Sequence, residues 1–417
     1  MQTLIYFTQT YPGDGFTEQT FVDSELPALL TTFGRIILLP VNPSTRRDGY
    51  ADRLPAGVEV DWSISESRAM HSRLAKLRWL AHPEVLRAAV DVTREAKTVK
   101  QWVKGIFQSL NAMELSRQLR RIIRREGLTP EQTTIYSLWF LNAAAGASRL
   151  GREGWKVATR AHLSDLYDDR LIFRSRRVRD RVLRGVGKVI SISRRGREYL
   201  VQRYPEHAAK FVNIPLGSSR LFEPSLPEAR RDGPVRFVTA SRMTSLKRLD
   251  VVMETLDRVA ALLPHMELEW TLIGDGESRP DLERKAGEIR HANLKVRMPG
   301  MMRNAEIQRL YAKTPPHWFI MMSESEGMPV SLGEAMSYGV PVLTTDVGDI
   351  GEMVTPECAL ILDADDLDAT ARRVADLVAD DSRRLAMSRA ALKHWAQTFD
   401  AAKCSLRLAG QEGLQVM

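Results

Sequence analysis

Short runs of consecutive apolar residues alternate along this chain with longer stretches in which apolar positions recur every three or four residues. The runs read as buried strands and the stretches between them as amphipathic helices. The first half opens with a strand at Leu4-Ile5-Tyr6-Phe7, a glycine-containing loop, a helix from about Glu18 to Leu30 and a strand over 35–41. From about Ser65 to Arg125 the pattern turns helical and basic, and strands then recur at 133–136, 156–159 and 188–191. Ile214-Pro215-Leu216-Gly217 reads as a hinge, followed by polar, proline-containing sequence up to Gly233-Pro234. A second alternation places strands at 235–241, 268–273, 294–296, 317–321, 342–344 and 360–362, and the chain ends in helices over 381–398 and 401–408. Strands alternating with helices in two successive series predict an α/β protein with two parallel sheets.

The segment from Ser323 to Val342 holds the most specific pattern. A buried strand precedes it, and Val330 to Tyr338 reads as a helix closed by Gly339 and stopped by Pro341. The turn between them lies at a strand's carboxyl end, where open α/β sheets bind ligands. There the unpaired N–H groups of Gly327, Met328 and Val330, with Pro329 among them, suit an anion such as a diphosphate. Glu326 falls in the turn and Glu334 eight positions on, about two helical turns into the helix. Arg242 and Lys247 occupy the equivalent place after the first strand of the second series, just before a helix. Cations at a helix start are unfavourable unless an anion is to be held, and a departing diphosphate is such an anion.

With its Ala-Met-Ser-Tyr-Gly-Val-Pro continuation, the segment resembles the Glu-x7-Glu motif of retaining glycosyltransferases of family 4, and Arg242 and Lys247 match that family's diphosphate-binding pair. The resemblance implies the GT-B fold: two Rossmann-like, doubly wound parallel-sheet domains facing a central cleft, with C-terminal helices crossing back to the first domain. The domains expected are residues 1–217, acceptor-binding and carrying the helical insertion of about 65–125; residues 218–387, donor-binding; and helices 388–417. It further implies that Glu334 accepts hydrogen bonds from the ribose hydroxyls and that Glu326 contacts the donor sugar.

Other segments match more loosely. Gly274 and Gly276 follow a strand and match a glycine turn bordering the nucleotide, although glycine turns after strands are often only turns. Pro299-Gly300-Met301-Met302 corresponds to the family's loop near the base. Gly13 and Gly15 lie in a loop after the first strand that resembles the acceptor-side glycine loop. With Glu at position 18, the dinucleotide fingerprint is incomplete, which rejects a nicotinamide site. His162 and Asp165, in Arg160-Ala161-His162, match the histidine that lies near the transferred sugar and a nearby carboxylate on the acceptor side. Asp349 stands where the family usually has a second glycine. The aspartate-rich run 363–368 opens a helix and reads as caps, and no His/Cys cluster has metal-ligand spacing, so no metal and no cofactor are expected.

Composition sets the remaining bounds. The 417 residues, 44% hydrophobic, suffice for two or three domains, with no run of about eighteen uncharged apolar residues. The start lacks the features of a signal peptide, and the two cysteines, Cys358 and Cys404, form no framework, so a cytoplasmic location is expected. Residues 1–217 hold 35 Lys and Arg against 22 Asp and Glu, whereas the remainder holds 25 against 30. A basic first half suggests an anionic partner. The basic helical segment, with Trp79, Trp102 and Phe107 among its cations, fits a helix resting on the inner face of a membrane; it equally fits ordinary amphipathic helices with apolar faces in the core.

The resemblance implies a retaining, metal-independent hexosyltransferase in bacterial surface polysaccharide synthesis, whether exopolysaccharide, capsule or lipopolysaccharide. Its donor would be a UDP- or GDP-sugar and its acceptor a polyprenyl-diphosphate-linked saccharide. Two rivals share features with it: a GT-B nucleotide-sugar epimerase, and a nucleic-acid-binding protein using the basic half. The latter lacks interleaved aromatic-basic motifs, and nucleic acid is not an expected partner.

Overall fold

A computed structural model describes residues 2–13, 16–42, 54–140, 143–168, 171, 175–225, 228 and 233–415, with the side chains of residues 16 and 17 excepted. The chain divides into two compact units, one formed by Met1–Pro215 with Ala402–Met417 and one by Leu216–Ala401.

The first unit holds seven strands, all parallel: β1 (Thr3–Thr8), β2 (Arg35–Pro40), β3 (Val58–Val60), β4 (Thr133–Ser137), β5 (Lys156–Ala161), β6 (Lys188–Ser191) and β7 (Phe211–Asn213), in the order β3-β2-β1-β4-β5-β6-β7. Every residue of β1 is buried because helices cover both faces of the sheet. Ile5 and Phe7 pack with Leu115, Leu119 and Ile122 of the helix Val99–Arg125 and with Ala144 and Ala147 of Ala143–Gly151. Leu4 and Tyr6 face the other way, toward Val22, Leu26 and Leu29 of Phe16–Thr32.

The second unit holds β8 (Val235–Ala240), β9 (Leu268–Ile273), β10 (Leu294–Gly300), β11 (Trp318–Met321), β12 (Val342–Thr344) and β13 (Ala359–Ile361), again all parallel, in the order β10-β9-β8-β11-β12-β13. Its core joins Phe237, Trp270, Trp318 and Ile320 of the sheet to Val252, Leu256 and Val259 of the helix Leu249–Leu262. In both sheets the strand order reverses beside the first strand, between β1 and β4 and between β8 and β11. Ligand crevices open at such reversals, at the strands' carboxyl ends.

The C-terminal helices divide between the units. The long helix Asp381–Thr398, expected in part to join the first domain, lies within the second unit, where Ser388 donates to the Gly339 carbonyl and Trp395 Nε1 to Ser218 Oγ at 2.9 Å. Only the residues from Ala402 on belong to the first.

Candidate functional site

In the second unit the reversal is built by three turns tied to one another. After β8, Ser241 N donates to Ile273 O at 3.0 Å and Met243 N to Asp275 O at 2.8 Å, which fastens this turn to the one after β9. The close approach requires glycine. A Cβ at Gly274 (φ +136°) would stand 1.9 Å from Ser241 O, and one at Gly276 (φ +156°) would stand 2.3 Å from Met243 O. The two glycines thus shape the backbone after β8. That turn ends in a short 3-10 segment, Ser245–Lys247, with Arg248 left-handed at φ 47° before the next helix.

Lys247 points its ammonium at the carboxylate of Glu326, which follows β11 and is buried. A buried carboxylate needs such a cation. Arg242 is exposed, with no side-chain hydrogen bond or ion pair among the described residues. The turn after β11 is fastened from both sides: Glu324 N donates to Leu246 O at 2.8 Å, and Asp349 N to Glu326 O at 3.3 Å. Gly348 is again obligatory, since a Cβ there would lie 1.7 Å from Glu326 O. Gly327, Met328 and Pro329 lead into the helix Val330–Ser337, whose N-cap, Pro329, offers no side-chain acceptor. Its first amides point outward from the helix start, as any helix's do.

Glu334 sits on that helix with 5% of its surface exposed. Its carboxylate accepts a hydrogen bond from the Asn304 amide. Burial pushes its carboxyl up to about 7, partly opposed by that hydrogen bond. Asn304 is held in turn: its Oδ1 accepts from Gln308 Nε2 at 2.8 Å, and Gln308 Oε1 accepts from Tyr338 Oη at 2.9 Å and Leu221 N at 2.8 Å. The chain of amides fixes which way Glu334 faces. Asn304 and Gln308 escape a motif reading, and the available signal is an i, i+4 amide pair opening the helix Asn304–Lys313, just past the Pro299–Met302 loop.

In the first unit the matching reversal is organised by Glu18. Its buried carboxylate accepts from the backbone N–H groups of Gln9, Thr10 and Tyr11 at 2.7–3.1 Å and from Trp139 Nε1 at 2.6 Å. The loop after β1, bearing half-buried Gly13, is thereby clamped to the loop after β4. Gly15 lies outside the described residues. His162 is buried against Trp139, with ring centroids 4.4 Å apart, and its Nε2 lies 2.9 Å from Leu138 O. That contact makes Nε2 the protonated nitrogen and leaves Nδ1 as an acceptor. Burial, and then the nearby Arg160 cation, push the imidazole down to about 3. Asp165 accepts from Phe140 N and His162 N, both at 2.7 Å, so its carboxylate ties loops together. Beneath them Arg160 pairs with Glu25, whose other oxygen accepts from Tyr6 Oη at 2.8 Å.

Among the described residues one cluster has metal-ligand geometry, Asp180, Glu206 and His207, and it belongs to neither site. Its members are also paired with Arg184 and Arg176.

Two doubly wound parallel-sheet units in succession define the GT-B class of fold. The solved lipopolysaccharide outer core galactosyltransferase WaaB is similar with a TM-score of 0.66, covering 98% of this chain and 99% of that one at 14% identity. The Anabaena protein HepE, solved with UDP and glucose, is similar at a TM-score of 0.63, covering 98% of each chain at 14% identity. Within the second unit, residues 234–380 match the family model described as Glycosyl transferases group 1.

Curated relatives share less of the chain. The GtfA subunit of the UDP-N-acetylglucosamine–peptide N-acetylglucosaminyltransferase of Streptococcus gordonii is 29% identical over 150 residues, 36% of this chain and 28% of that protein. A GDP-mannose-dependent monoacylated alpha-(1-6)-phosphatidylinositol monomannoside mannosyltransferase of Corynebacterium glutamicum is 25% identical over 232 residues, 51% and 59% of the two chains. The matches thus span 28% and 59% of these relatives' lengths.

Proposed function

We propose that this protein is a retaining, metal-independent glycosyltransferase that moves a hexosyl unit from a UDP- or GDP-sugar to a polyprenyl-diphosphate-linked or polysaccharide acceptor in bacterial surface polysaccharide synthesis. The observation that carries the reading is that the turns and the helix at the reversal of the second sheet carry an exposed Arg242 without a side-chain partner among the described residues, the Lys247–Glu326 pair, and Glu334 held by Asn304. Nucleotide donors agree with HepE, solved with UDP, and with the relatives whose names specify UDP-N-acetylglucosamine or GDP-mannose.

In this reading Arg242 and Lys247 hold the diphosphate, joined by the amides of Gly327, Met328 and Val330 beside Pro329. Lys247 carries three donors, so it keeps Glu326 while donating to a phosphate oxygen. Glu334 accepts from the two ribose hydroxyls, which favours its ionised form. Glu326 contacts the donor sugar, and Gly274 and Gly276 keep the backbone beside the nucleotide low. As the anomeric carbon–oxygen bond breaks, the departing phosphate oxygen takes the proton of the acceptor hydroxyl, and the new bond forms on the same face. Fixed cations stabilise that leaving charge, which is the share of the work the protein performs.

The first unit supplies the acceptor side, with Gly13 and Gly15 in the loop after β1 and the neutral His162 as an acceptor of a sugar hydroxyl. Asp165 acts there by positioning the His162 loop. A cytoplasmic-face location is supported by Leu74, Leu77, Leu80, Leu86, Val90 and Trp102, each at least 42% exposed, in a segment rich in arginine and lysine.

Thermal stabilisation by UDP, GDP, CDP and ADP tests the proposal. UDP or GDP is expected to raise the melting temperature by mass action, and Glu334→Ala to remove most of that rise. No shift with any nucleotide, together with a salt-sensitive shift on random single-stranded RNA, would move the function to the basic half.

A further inference from the structure

A cavity of about 290 Å³ opens in the first unit among the helices Pro83–Glu95, Val99–Arg125, Ala143–Gly151 and Arg176–Arg184. Its wall is cationic: six arginines line it against two carboxylates, Glu84 and Asp168. Arg149 and Arg152 converge on the single carboxylate of Glu84, Arg152 at 3.1 Å. Arg181 gives one nitrogen to Asp91 at 2.6 Å, and Asp91 also serves Arg177 at 3.3 Å. The other terminal nitrogen of Arg181, Nη2, is buried without a partner among the described residues. Removing guanidinium groups from water is costly unless each is matched by an acceptor; here Arg149 and Arg152 share one carboxylate, Arg177 and Arg181 another, and among the described residues Arg152 is further satisfied only by the Arg181 carbonyl at 3.3 Å. Burial holds both Arg149 and Arg152 below the usual arginine range, and for Arg149 the neighbouring Arg152 adds to this. The rest of the wall is mostly apolar, with Val85, Ala112, Met113, Val178 and Val182, and is interrupted by Gln108, Ser109, Ser148 and Ser175.

We infer that this cavity is a binding site for an anionic amphiphile, a phosphate or carboxylate carried on an apolar chain. Arginines in excess of the carboxylates they share suit a tetrahedral or planar anion, in bidentate geometry where two nitrogens reach it. The apolar part of the wall is superfluous for a free inorganic ion and gains from burying methylene groups. A volume at the lower end of ligand cavities, which begin near about 300 Å³, takes the head and its first few carbons and leaves a longer chain outside. Arg179 lines the same cavity while donating to Asp165 O at 2.7 Å and Leu166 O at 2.6 Å. The cavity therefore shares a wall with the segment that holds His162 and Asp165. The site is separate from the Arg242–Lys247–Glu326–Glu334 group and does not depend on the transferase reading.

Isothermal titration of the full chain with octyl phosphate, octanol and inorganic phosphate tests the inference. Octyl phosphate is expected to bind at least about tenfold more tightly than either of the others. Ala112→Phe, which fills the cavity, and Arg181→Gln, which keeps a polar side chain of similar reach, are each expected to weaken it about tenfold. Melting under UDP or GDP should shift equally in wild type and variants. Octanol or inorganic phosphate binding as tightly as octyl phosphate would overturn the amphiphile assignment. Undiminished octyl phosphate binding in both variants would place it elsewhere and overturn the site. Displacement of octyl phosphate by phosphatidylglycerol vesicles, but not by phosphatidylcholine vesicles, would support the site with a lipid headgroup as its source. Displacement by neither would support it with a soluble amphiphile.

Discussion

In the proposed site, Glu334 sets stability against recognition in one side chain. Its carboxyl titrates near 7 in the folded chain because it is buried, against about 4.5 when exposed. Below about pH 4.5 it is neutral in both states and costs nothing. As pH rises toward 7 the unfolded chain releases its proton first, so folding stability is lost across that window, by about 3 kcal/mol in all. Glu334→Gln is therefore expected to stabilise the unliganded protein at pH 8 and to have little effect at pH 4.5, as read by calorimetric melting at both values. The same variant should lose nucleotide stabilisation at pH 8, where the ribose hydroxyls favour the ionised form. For the wild type, nucleotide affinity should weaken as pH falls below about 7. Lys247 presents the opposite case, a cation whose removal strands a charge. Lys247→Met leaves Glu326 buried without its partner and should cost about 1–3 kcal/mol in the unliganded chain while abolishing nucleotide stabilisation. A variant that melts as wild type and still responds to UDP or GDP would remove Lys247 from the site.

At the scale of elements, the site depends on turns that only glycine can make. Gly348 adopts φ +59° with its α-carbon pressed against the turn that carries Glu326. Gly348→Ala should cost at least about 1–2 kcal/mol from the left-handed backbone alone, and more because the Glu326 turn must move. Denaturant melts should show the loss, and nucleotide titration should show weaker binding with Lys247 and Glu334 intact. Much of this scaffold is legible in the sequence, because apolar runs mark strands and Gly or Pro marks their ends. Gly339, expected to close the helix Val330–Ser337, does so at φ +71°. The legible part stops where a side chain's partner lies far away in the chain. Glu18 looks like a mere break in a glycine fingerprint, yet it gathers three backbone amides and the indole of Trp139, 121 residues on. Asp165, expected beside an acceptor, is occupied by loop amides. The Asn304–Gln308 relay is similarly invisible, because an exposed amide pair on a helix and a buried relay have the same local pattern.

For the whole molecule the decisive fact is that the first unit is discontinuous in sequence while the second is one uninterrupted segment. The helix Ala401–Ala409 and the turn after it return to the first sheet. Leu408, Ala409 and Leu414 are at most 1% exposed and pack in the layer that holds Leu4, Tyr6, Val22 and Leu26. Polar ties accompany them: Ser405 Oγ donates to Ser24 O at 3.2 Å, and Arg407 donates to Asn213 O at 3.0 Å. Each buried leucine is worth about 2–5 kcal/mol, against a total margin of about 5–15 kcal/mol for a domain. Removing residues 402–417 should therefore unfold the first unit, or leave it without fixed packing, while the second keeps its core and the nucleotide site proposed there. Calorimetry on the truncated chain is expected to lose one transition and retain another that UDP or GDP still shifts upward. Leu414→Ala should lower the first transition alone. If truncation instead removes both transitions together, the two units fold as a single cooperative body, and the second could not serve by itself as the donor-binding module.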